Sequence, residues 1–256
     1  MSFLALCGVL ERALADGILG TYYLKGGVAL ELRFAGRARA TKDLDLGLEG
    51  PRWNRLGLFR EALQNGFDAF TFRVKGQTRE MELADAVRVQ VAVAYQTRAW
   101  QTIDVDLGPG PAVDQRVAVD LVEPRVLGLA ELGIWVTTPI RCLGLPEQVA
   151  QKLHACTAPR AGSRARDILD ILLIDLLGVL DYGAAASAAK RVFAERATHD
   201  FPPVFTMPGA WRQEVERTAM ELGFLVTDPN EIEEQFRGVI ARLGEEAGGA
   251  VRTGWA

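Results

Sequence analysis

The fold is decided by the stretch LKGGVALELRFAGRARATKDLDL, residues 24–46. With Tyr22 and Tyr23 before it, this stretch predicts a strand over 22–24, a glycine turn at Gly26 and Gly27, and a helix over 28–33. A backbone that lacks Cβ at the head of a helix lets amide N–H groups approach a phosphate, so the turn is a candidate phosphate-binding site. An ordinary strand-to-helix turn is the alternative interpretation.

The same stretch ends in two aspartates on a predicted strand. Asp43 and Asp45 alternate with leucines, so both carboxylates leave one face and can share a hard cation. Asp104 and Asp106 form a second pair on a strand predicted over 100–107. A neighbouring strand would bring one of them to the first pair, giving the three acids typical of a two-magnesium site. The sequence leaves open which one, and a solvated strand face is the alternative for each pair.

Outside this region the chain divides into two halves. Apolar periodicities predict helices over 3–17 and 52–66, a strand over 87–95, further helices over 147–156, 163–177 and 184–198, and a helix start at Asp228. The predicted fold class is therefore α/β (α+β), with an N-terminal mixed sheet flanked by helices and a C-terminal helical domain. The predicted boundaries are a sheet domain at 1–125, a linker at 126–145, a helical domain at 146–243 and a flexible tail at 244–256.

Composition limits the classes of function. The 256 residues carry a net charge of −4, which excludes a protein that coats nucleic acid by bulk charge. A polynucleotide would need a local basic patch, for which the candidates are Arg33, Arg37, Arg39 and Lys42. No apolar run approaches the length of about 18 residues that a membrane helix needs, so we expect a cytoplasmic protein with no membrane partner. The three cysteines lack metal or disulfide spacing and are expected to be buried thiols.

Several segments together resemble one enzyme family. The runs at 24–30 and 39–46 look like the opening signature of the AbiEii/AbiGii-like nucleotidyltransferase toxins, within the polymerase-β-like nucleotidyltransferase superfamily. Further similar segments follow in the expected order at 103–105, 146–155, 163–170 and 193–199. The resemblance covers about residues 20 to 205 and is specific because it rests on the order and spacing of several segments.

This resemblance implies a Mg²⁺-dependent enzyme, with Mn²⁺ as a second option for the metal. It would transfer a nucleoside monophosphate from a nucleoside triphosphate to an acceptor, with RNA at the 3′ end of tRNA as the expected acceptor. The chain would be the toxin of a type IV toxin–antitoxin or phage-defence pair, with a cognate antitoxin as partner. The alternatives are transfer to a small molecule or protein, and a regulator that binds the nucleotide without transferring it.

The resemblance also implies roles for individual residues. Gly26 and Gly27 would contact the triphosphate, Asp43 and Asp45 would hold the metal, and Asp104 would complete the acidic set. In the helical domain, the implied contributors to the site are Lys152, reaching the nucleotide phosphates, and Asp167. The remaining nucleotide-binding candidates are Lys25, Thr41, Lys42 and Arg166. The sequence departs from the family at Gln151, where glutamate is commoner, and at Val28, where a small or hydroxyl residue is commoner.

The residues themselves leave alternatives open in the helical half. Lys152 lies on an apolar helix and can serve either as a point charge for phosphate or as a lysine that extends from a buried face. Asp167 either lines a site or pairs with a nearby arginine. The two histidines, His154 and His199, have no partner at metal spacing and are expected to pack between helices and to hold a helix end.

Overall fold

The computed structural model describes residues 2–34, 36–38, 41–81, 85–110, 117–124, 139–159 and 162–249. The chain forms two compact units, Met1–Leu143 and Gly144–Ala256. The predicted tail beyond 249, most of the predicted linker, and Arg39 lie outside the described residues.

The first unit is built on a seven-stranded mixed sheet with strand order β3-β4-β5-β2-β1-β7-β6. Its strands are β1 (Tyr22–Lys25), β2 (Asp43–Leu48), β3 (Phe70–Met81), β4 (Ala86–Tyr95), β5 (Arg98–Pro109), β6 (Val119–Val122) and β7 (Ile140–Leu143). Its helices are α1 (Ser2–Ala15), α2 (Gly26–Phe34) and α3 (Arg52–Ala62), the last followed by a 3₁₀ turn at Leu63–Asn65. The pairs β1–β7 and β2–β5 are parallel, and the other neighbours are antiparallel.

The core lies on one face of this sheet. Alternate residues of β2, β4 and β5 are almost fully buried there, and they form one cluster with the apolar faces of α1, α2 and α3. The members that the central strands contribute are Leu44, Leu46, Leu48, Val87, Val89, Val91, Val93, Ile103, Val105 and Leu107. Because successive side chains alternate across a strand, the intervening polar residues stand on the opposite face.

Three strands of the first unit were not predicted from the sequence. β3 is an edge strand whose exposed residues are polar, β6 contains only four residues, and β7 falls within the stretch predicted as linker. β7 joins the sheet because Ile140 and Cys142 are buried and Cys142 lies beside Leu24 of β1. A strand this short has too few alternating positions to stand out from its flanking sequence. Helix α2 also begins earlier than predicted, at Gly26 itself.

The second unit is helical. It contains α4 (Leu145–Thr157), α5 (Ala165–Leu176), α6 (Tyr182–Arg196), α7 (Arg212–Glu221) and α8 (Pro229–Gly249), with a 3₁₀ turn at Gly209–Trp211. The predicted start of α8 is confirmed, because the Asp228 carboxylate accepts hydrogen bonds from the backbone N–H groups of Asn230 and Glu231. Helix α8 continues into the predicted flexible tail, where Ala247 is buried.

The described residues agree with the predicted α/β (α+β) class, which is confirmed. Cys7, Cys142 and Cys156 are free and buried, as predicted. Burial raises the pKa values of all three thiols well above their ordinary range. No helix within the described ranges combines the length and the apolar character that crossing a bilayer requires.

Candidate active site

Four carboxylates come together in register on two neighbouring parallel strands. Asp43 of β2 lies beside Asp104 of β5, and Asp45 lies beside Asp106. Adjacent strands are about 4.8 Å apart and laterally paired residues share a face, so all four side chains stand on the face opposite the core. We call these four residues the carboxylate cluster. The sequence predicts that either Asp104 or Asp106 lies near Asp43 and Asp45. The register of the sheet places both of them there.

An arginine that the sequence reasoning missed is bound to this cluster. Arg88 of β4 lies opposite Asp106, and its Nε and Nη2 each donate a hydrogen bond of 2.6 Å to that carboxylate. The same Nη2 lies 3.7 Å from an oxygen of Asp43. These hydrogen bonds to Asp106 raise the pKa of Arg88 above its usual range. The signal in the sequence is the alternation of β4, which places Arg88 on the polar face of its strand.

Gln90 makes the equivalent contact with the other aspartate of β5. It lies opposite Asp104, and its Nε2 donates a hydrogen bond of 3.1 Å to the Asp104 Oδ1. Asp106 is thus held by a charged partner and is 9% exposed, whereas Asp104 is held by a neutral amide and is more accessible. The two aspartates of β5 therefore have different freedom to accept a further ligand.

The glycine turn contacts the carboxylate cluster directly. Gly26 has a φ of +65°, and a Cβ placed there would lie only 2.0 Å from the Asp45 Oδ2. Glycine is therefore required at this position both by the left-handed backbone and by the approach of a carboxylate. Gly27 follows in the first turn of α2 and is buried. The turn brings the N-terminus of a helix to within contact distance of one aspartate.

Two further glycines leave room for side chains of β1 on this face. Lys25 lies opposite Asp45, and a Cβ at Gly108 would lie 3.0 Å from the Lys25 Nζ. The ring of Tyr23 lies across Gly47 in the same way. The Tyr23 hydroxyl donates a hydrogen bond of 3.2 Å to the carbonyl of Pro109. The amine of Lys25 therefore stands on the face that carries the carboxylate cluster.

The other candidates of the first unit occupy the approach to β2. The Thr41 hydroxyl donates a hydrogen bond of 3.3 Å to the carbonyl of Asp43, and Lys42 and Arg37 are exposed. Arg33 was a candidate for the local basic patch, and the structure does not place it there. Its Nη2 donates hydrogen bonds to Asp120 at 2.7 Å and to the Leu143 carbonyl at 2.9 Å. The Arg33 side chain is only 8% exposed, so the positive charge of this residue is not presented on the surface beside Lys42 and Arg37.

In the second unit, Lys152 joins α4 to two carboxylates of α5. Its Nζ lies 2.5 Å from the Asp167 Oδ1 and 2.8 Å from the Asp170 Oδ2. The lysine is 8% exposed and Asp170 only 1%. Burial works against the charged ammonium, but Asp170 and Asp167 outweigh it and raise the pKa of Lys152 above its ordinary range. Lys152 is therefore a buried cation, and its partner Asp167 remains partly accessible.

Other polar residues of the second unit have structural partners. Arg166 lies 3.7 Å from Glu214, and Arg164 lies 3.5 Å from Asp167. His154 contacts the Thr198 hydroxyl through Nε2 at 2.9 Å and packs edge-on against Phe193. The His199 ring contacts the hydroxyls of Thr157, at the end of α4, and Thr198.

The chemistry of the carboxylate cluster fits a divalent metal. Its donors are all carboxylate oxygens, the ligands that Mg²⁺ and Mn²⁺ favour. Within the described ranges no three such side chains already surround a common metal position. Arg88 holds both oxygens of Asp106. The remaining members of the cluster are Asp43, Asp45 and Asp104.

Comparisons with known proteins gave one family match and several structural similarities. The family model described as "Nucleotidyl transferase AbiEii toxin, Type IV TA system" matches residues 8–247. MenT4, a nucleotidyltransferase toxin from Mycobacterium tuberculosis H37Rv, shares the fold, with 16% identity, a TM-score of 0.54, and coverage of 94% of this chain and 92% of that chain. The antibiotic-resistance factor ANT(2'')-Ia aligns with 16% identity over 77% of this chain and 94% of that chain, with a TM-score of 0.43. No curated protein matched the sequence.

The family match extends over nearly the whole chain and includes the glycine turn, both aspartate pairs and Lys152. The chain therefore belongs to the AbiEii family of nucleotidyltransferase toxins of type IV toxin–antitoxin systems.

Proposed function

We propose that this nucleotidyltransferase transfers a nucleoside monophosphate from a nucleoside triphosphate to the 3′ hydroxyl of an RNA, with the 3′ end of tRNA as the expected acceptor. The acceptor oxygen forms a bond to the α-phosphorus, the bond from that phosphorus to pyrophosphate breaks, and the hydroxyl proton passes to a carboxylate. The observation that carries the proposal is the contact between the glycine turn and Asp45, which places the candidate phosphate-binding turn beside the carboxylate cluster.

The first unit is proposed to supply residues for each part of this reaction. The backbone N–H groups at Gly26 and Gly27 are proposed to bind the triphosphate at the start of α2, where the helix dipole favours an anion. The amine of Lys25 adds a positive charge on the same face. Asp43, Asp45 and Asp104 would hold Mg²⁺ or Mn²⁺, which when bound lowers the pKa of the attacking hydroxyl and neutralises phosphate charge. Asp104 is the proposed proton acceptor.

The second unit is proposed to contribute to nucleotide binding through its own buried cluster. Lys152 is the proposed phosphate contact, because its pKa lies above the ordinary value and the ammonium remains charged at neutral pH. Asp167 keeps this ammonium in place and is partly accessible. Thr41, Lys42 and Arg166 remain proposed nucleotide-binding residues on the basis of family membership.

The proposed partner besides RNA is a cognate antitoxin, as type IV toxin–antitoxin pairs imply. Expression of the chain alone is expected to arrest growth, and co-expression of the antitoxin encoded beside it is expected to restore growth. Asp43→Asn is expected to abolish the arrest without the antitoxin.

Label transfer tests the proposed reaction directly. Each α-labelled nucleoside triphosphate is incubated with the protein and with total RNA, protein or metabolites, with and without Mg²⁺ or Mn²⁺. We expect label on RNA that requires the metal and is lost in Asp43→Asn and Asp45→Asn. Asp68→Asn, an exposed aspartate with a φ of +48° that asparagine tolerates, is the matched control.

Other destinations of the label would contradict the RNA acceptor. Label on protein or on a small molecule would support the same chemistry with a different acceptor, and tight nucleotide binding with no transfer would support a regulator. Asp104→Asn compared with Asp106→Asn identifies the third carboxylate. We expect Asp104→Asn to abolish both transfer and Mn²⁺ binding, and Asp106→Asn to act mainly on stability through Arg88.

A further inference from the structure

The face that carries the carboxylate cluster continues across β4 to the edge strand β3. One row across β5, β4 and β3 consists of Asp106, Arg88 and Arg79. The adjacent row consists of Asp104, Gln90 and Lys75. In the next row Thr102 lies beside Ala92, which lies beside Arg73. Paired residues on neighbouring strands share a face, so these three rows form one surface. In the first two rows the charge changes from acidic at β2 and β5 to basic at β3, and the third row ends in a basic residue at β3.

The basic end of this surface is exposed. Arg73, Lys75 and Arg79 all have exposed side chains, and a β-bulge between Lys75 and Arg79 leaves both on the face shared with Gln90 and Arg88. None of these three cations forms an ion pair with a carboxylate within the ranges that the structure describes. We call Arg73, Lys75 and Arg79 the basic edge. It differs in this respect from Arg33, whose guanidinium is bound to Asp120.

The spacing of the basic edge suits a chain of phosphates. Alternate residues on a strand are about 6.8 Å apart, so Arg73 and Lys75 present two cations in a line along the edge. β3 is two strands from β5 and three strands from β2, which corresponds to roughly 10 and 15 Å. A strand of nucleotides bound at the edge would thus have its terminal nucleotide within reach of the carboxylate cluster. Gln90 and Thr102 are exposed between the two and offer neutral hydrogen-bonding groups.

We propose that the basic edge and the polar surface beside it bind the acceptor as a single RNA strand, with its phosphates on Arg73, Lys75 and Arg79 and its 3′ end directed to the carboxylate cluster. This inference rests on the proposed function, since it assigns the acceptor a place on the same face. The surface explains how a chain with a net charge of −4 binds a polyanion. The cations are concentrated on one edge strand beside the site.

Fluorescence anisotropy with a labelled single-stranded RNA that ends in a 3′ hydroxyl tests this assignment. The triple variant R73Q/K75Q/R79Q is compared with R60Q/R98Q/R217Q, which removes three exposed positive charges elsewhere. Each phosphate contact on a single strand adds about 0.7 to the salt slope, so loss of the basic edge is expected to reduce the slope by about 2. Between 50 and 200 mM salt the wild type should then lose about 20-fold more affinity than the edge variant. The control variant should keep the wild-type slope.

Measurements of nucleotide binding and of label transfer show whether the docking surface or the proposed function is wrong. If the wild type labels RNA but the edge variant keeps the wild-type slope, the docking surface is wrong and the proposed function stands. If RNA binding depends on the basic edge but no label is transferred, the surface is supported and the proposed function fails. Competition by polyglutamate as strong as that by RNA would assign the edge to an acidic protein and overturn the proposal. The edge variant should bind nucleoside triphosphate as the wild type does, because none of its three residues lies in the carboxylate cluster.

Discussion

Arg88 holds Asp106 by two hydrogen bonds of 2.6 Å that join neighbouring strands β4 and β5. The arrangement places one arginine among the carboxylates and offsets the repulsion that four such groups on one face would otherwise produce. Because Asp106 is buried, loss of Arg88 leaves its carboxylate without the cation that compensates it. Arg88 is partly exposed, so loss of Asp106 leaves the guanidinium in contact with solvent and costs less.

A double-mutant cycle on this pair measures its contribution to stability. We expect Arg88→Gln and Asp106→Asn each to destabilise the chain, and the double variant to cost less than their sum by about 1–2 kcal/mol. Urea unfolding at neutral pH checks this. The exposed pair Arg217 and Glu221, at spacing i, i+4, is the control, with an expected coupling of about 0.5 kcal/mol or less. Equal coupling for the two pairs would show that Asp106 does not depend on Arg88.

Substitution of Gly26 tests the contact between the glycine turn and the carboxylate cluster. Gly26→Ala introduces a Cβ 2.0 Å from the Asp45 Oδ2 at a φ of +65°, so Asp45 must move. We expect label transfer to fall at least about 100-fold, the scale of loss that small displacements of catalytic groups produce. Gly17→Ala is the matched control, since Gly17 has a φ of +73° and nothing within 4 Å.

Both glycine substitutions impose a left-handed backbone strain of about 1–2 kcal/mol, which urea unfolding measures. Only Gly26→Ala should also lose transfer activity. Retention of full activity by Gly26→Ala would mean that the position of Asp45 is not critical.

The central strands were predictable because their residues alternate strictly. The leucines that alternate with Asp43 and Asp45 allow only one assignment of buried and exposed faces, and the run from Ile103 to Leu107 does the same. Edge strand β3 was not predictable in this way, because only one of its faces is covered. The polar residues on its other face give it a sequence similar to that of a loop. β7 was hidden because its four residues acquire their strand conformation from pairing with β1 and β6.

The candidate site was predicted where its residues lie close in sequence. The glycine turn and the two aspartates of β2 fall within one stretch, so their types and spacing suffice. The partners Arg88 and Gln90 depend on the register between β4 and β5, which alternation alone does not specify. For the same reason the sequence could not show which of Asp104 and Asp106 is the third carboxylate. Their different partners, Gln90 for Asp104 and Arg88 for Asp106, distinguish them in the structure.

The buried Lys152 has a structural and a proposed functional role that mutation can separate. Lys152→Met leaves Asp170 buried without its cation, and we expect a loss of about 3–5 kcal/mol, the cost of breaking a buried ion pair. Adding Asp170→Asn removes the uncompensated charge and should recover about half of that loss, as urea unfolding would show. Nucleotide binding should remain impaired in K152M/D170N, because the amine is still absent. Recovery of nucleotide binding together with stability would make Lys152 a purely structural residue.

His154 makes the stability of the second unit depend on pH. Burial, with Arg196 and His199 adding to it, lowers the pKa of His154 from its ordinary 6.5 to about 4. The unfolded chain therefore takes up a proton at a pH where the folded chain keeps His154 neutral. Its contribution is fully present above pH 6.5 and is lost as pH falls towards 4.

We expect the wild type to lose about 1–2 kcal/mol more than His154→Gln between pH 7 and pH 5, measured by urea unfolding at each pH. Glutamine keeps a hydrogen-bonding group near Thr198 but does not titrate. His199, whose pKa is also lowered by burial, is present in both proteins. Because it adds to the pKa shift of His154, the difference between the two proteins reports His154 together with its interaction with His199. If both proteins lost the same stability on acidification, the neutral state of His154 in the folded chain would be disproved.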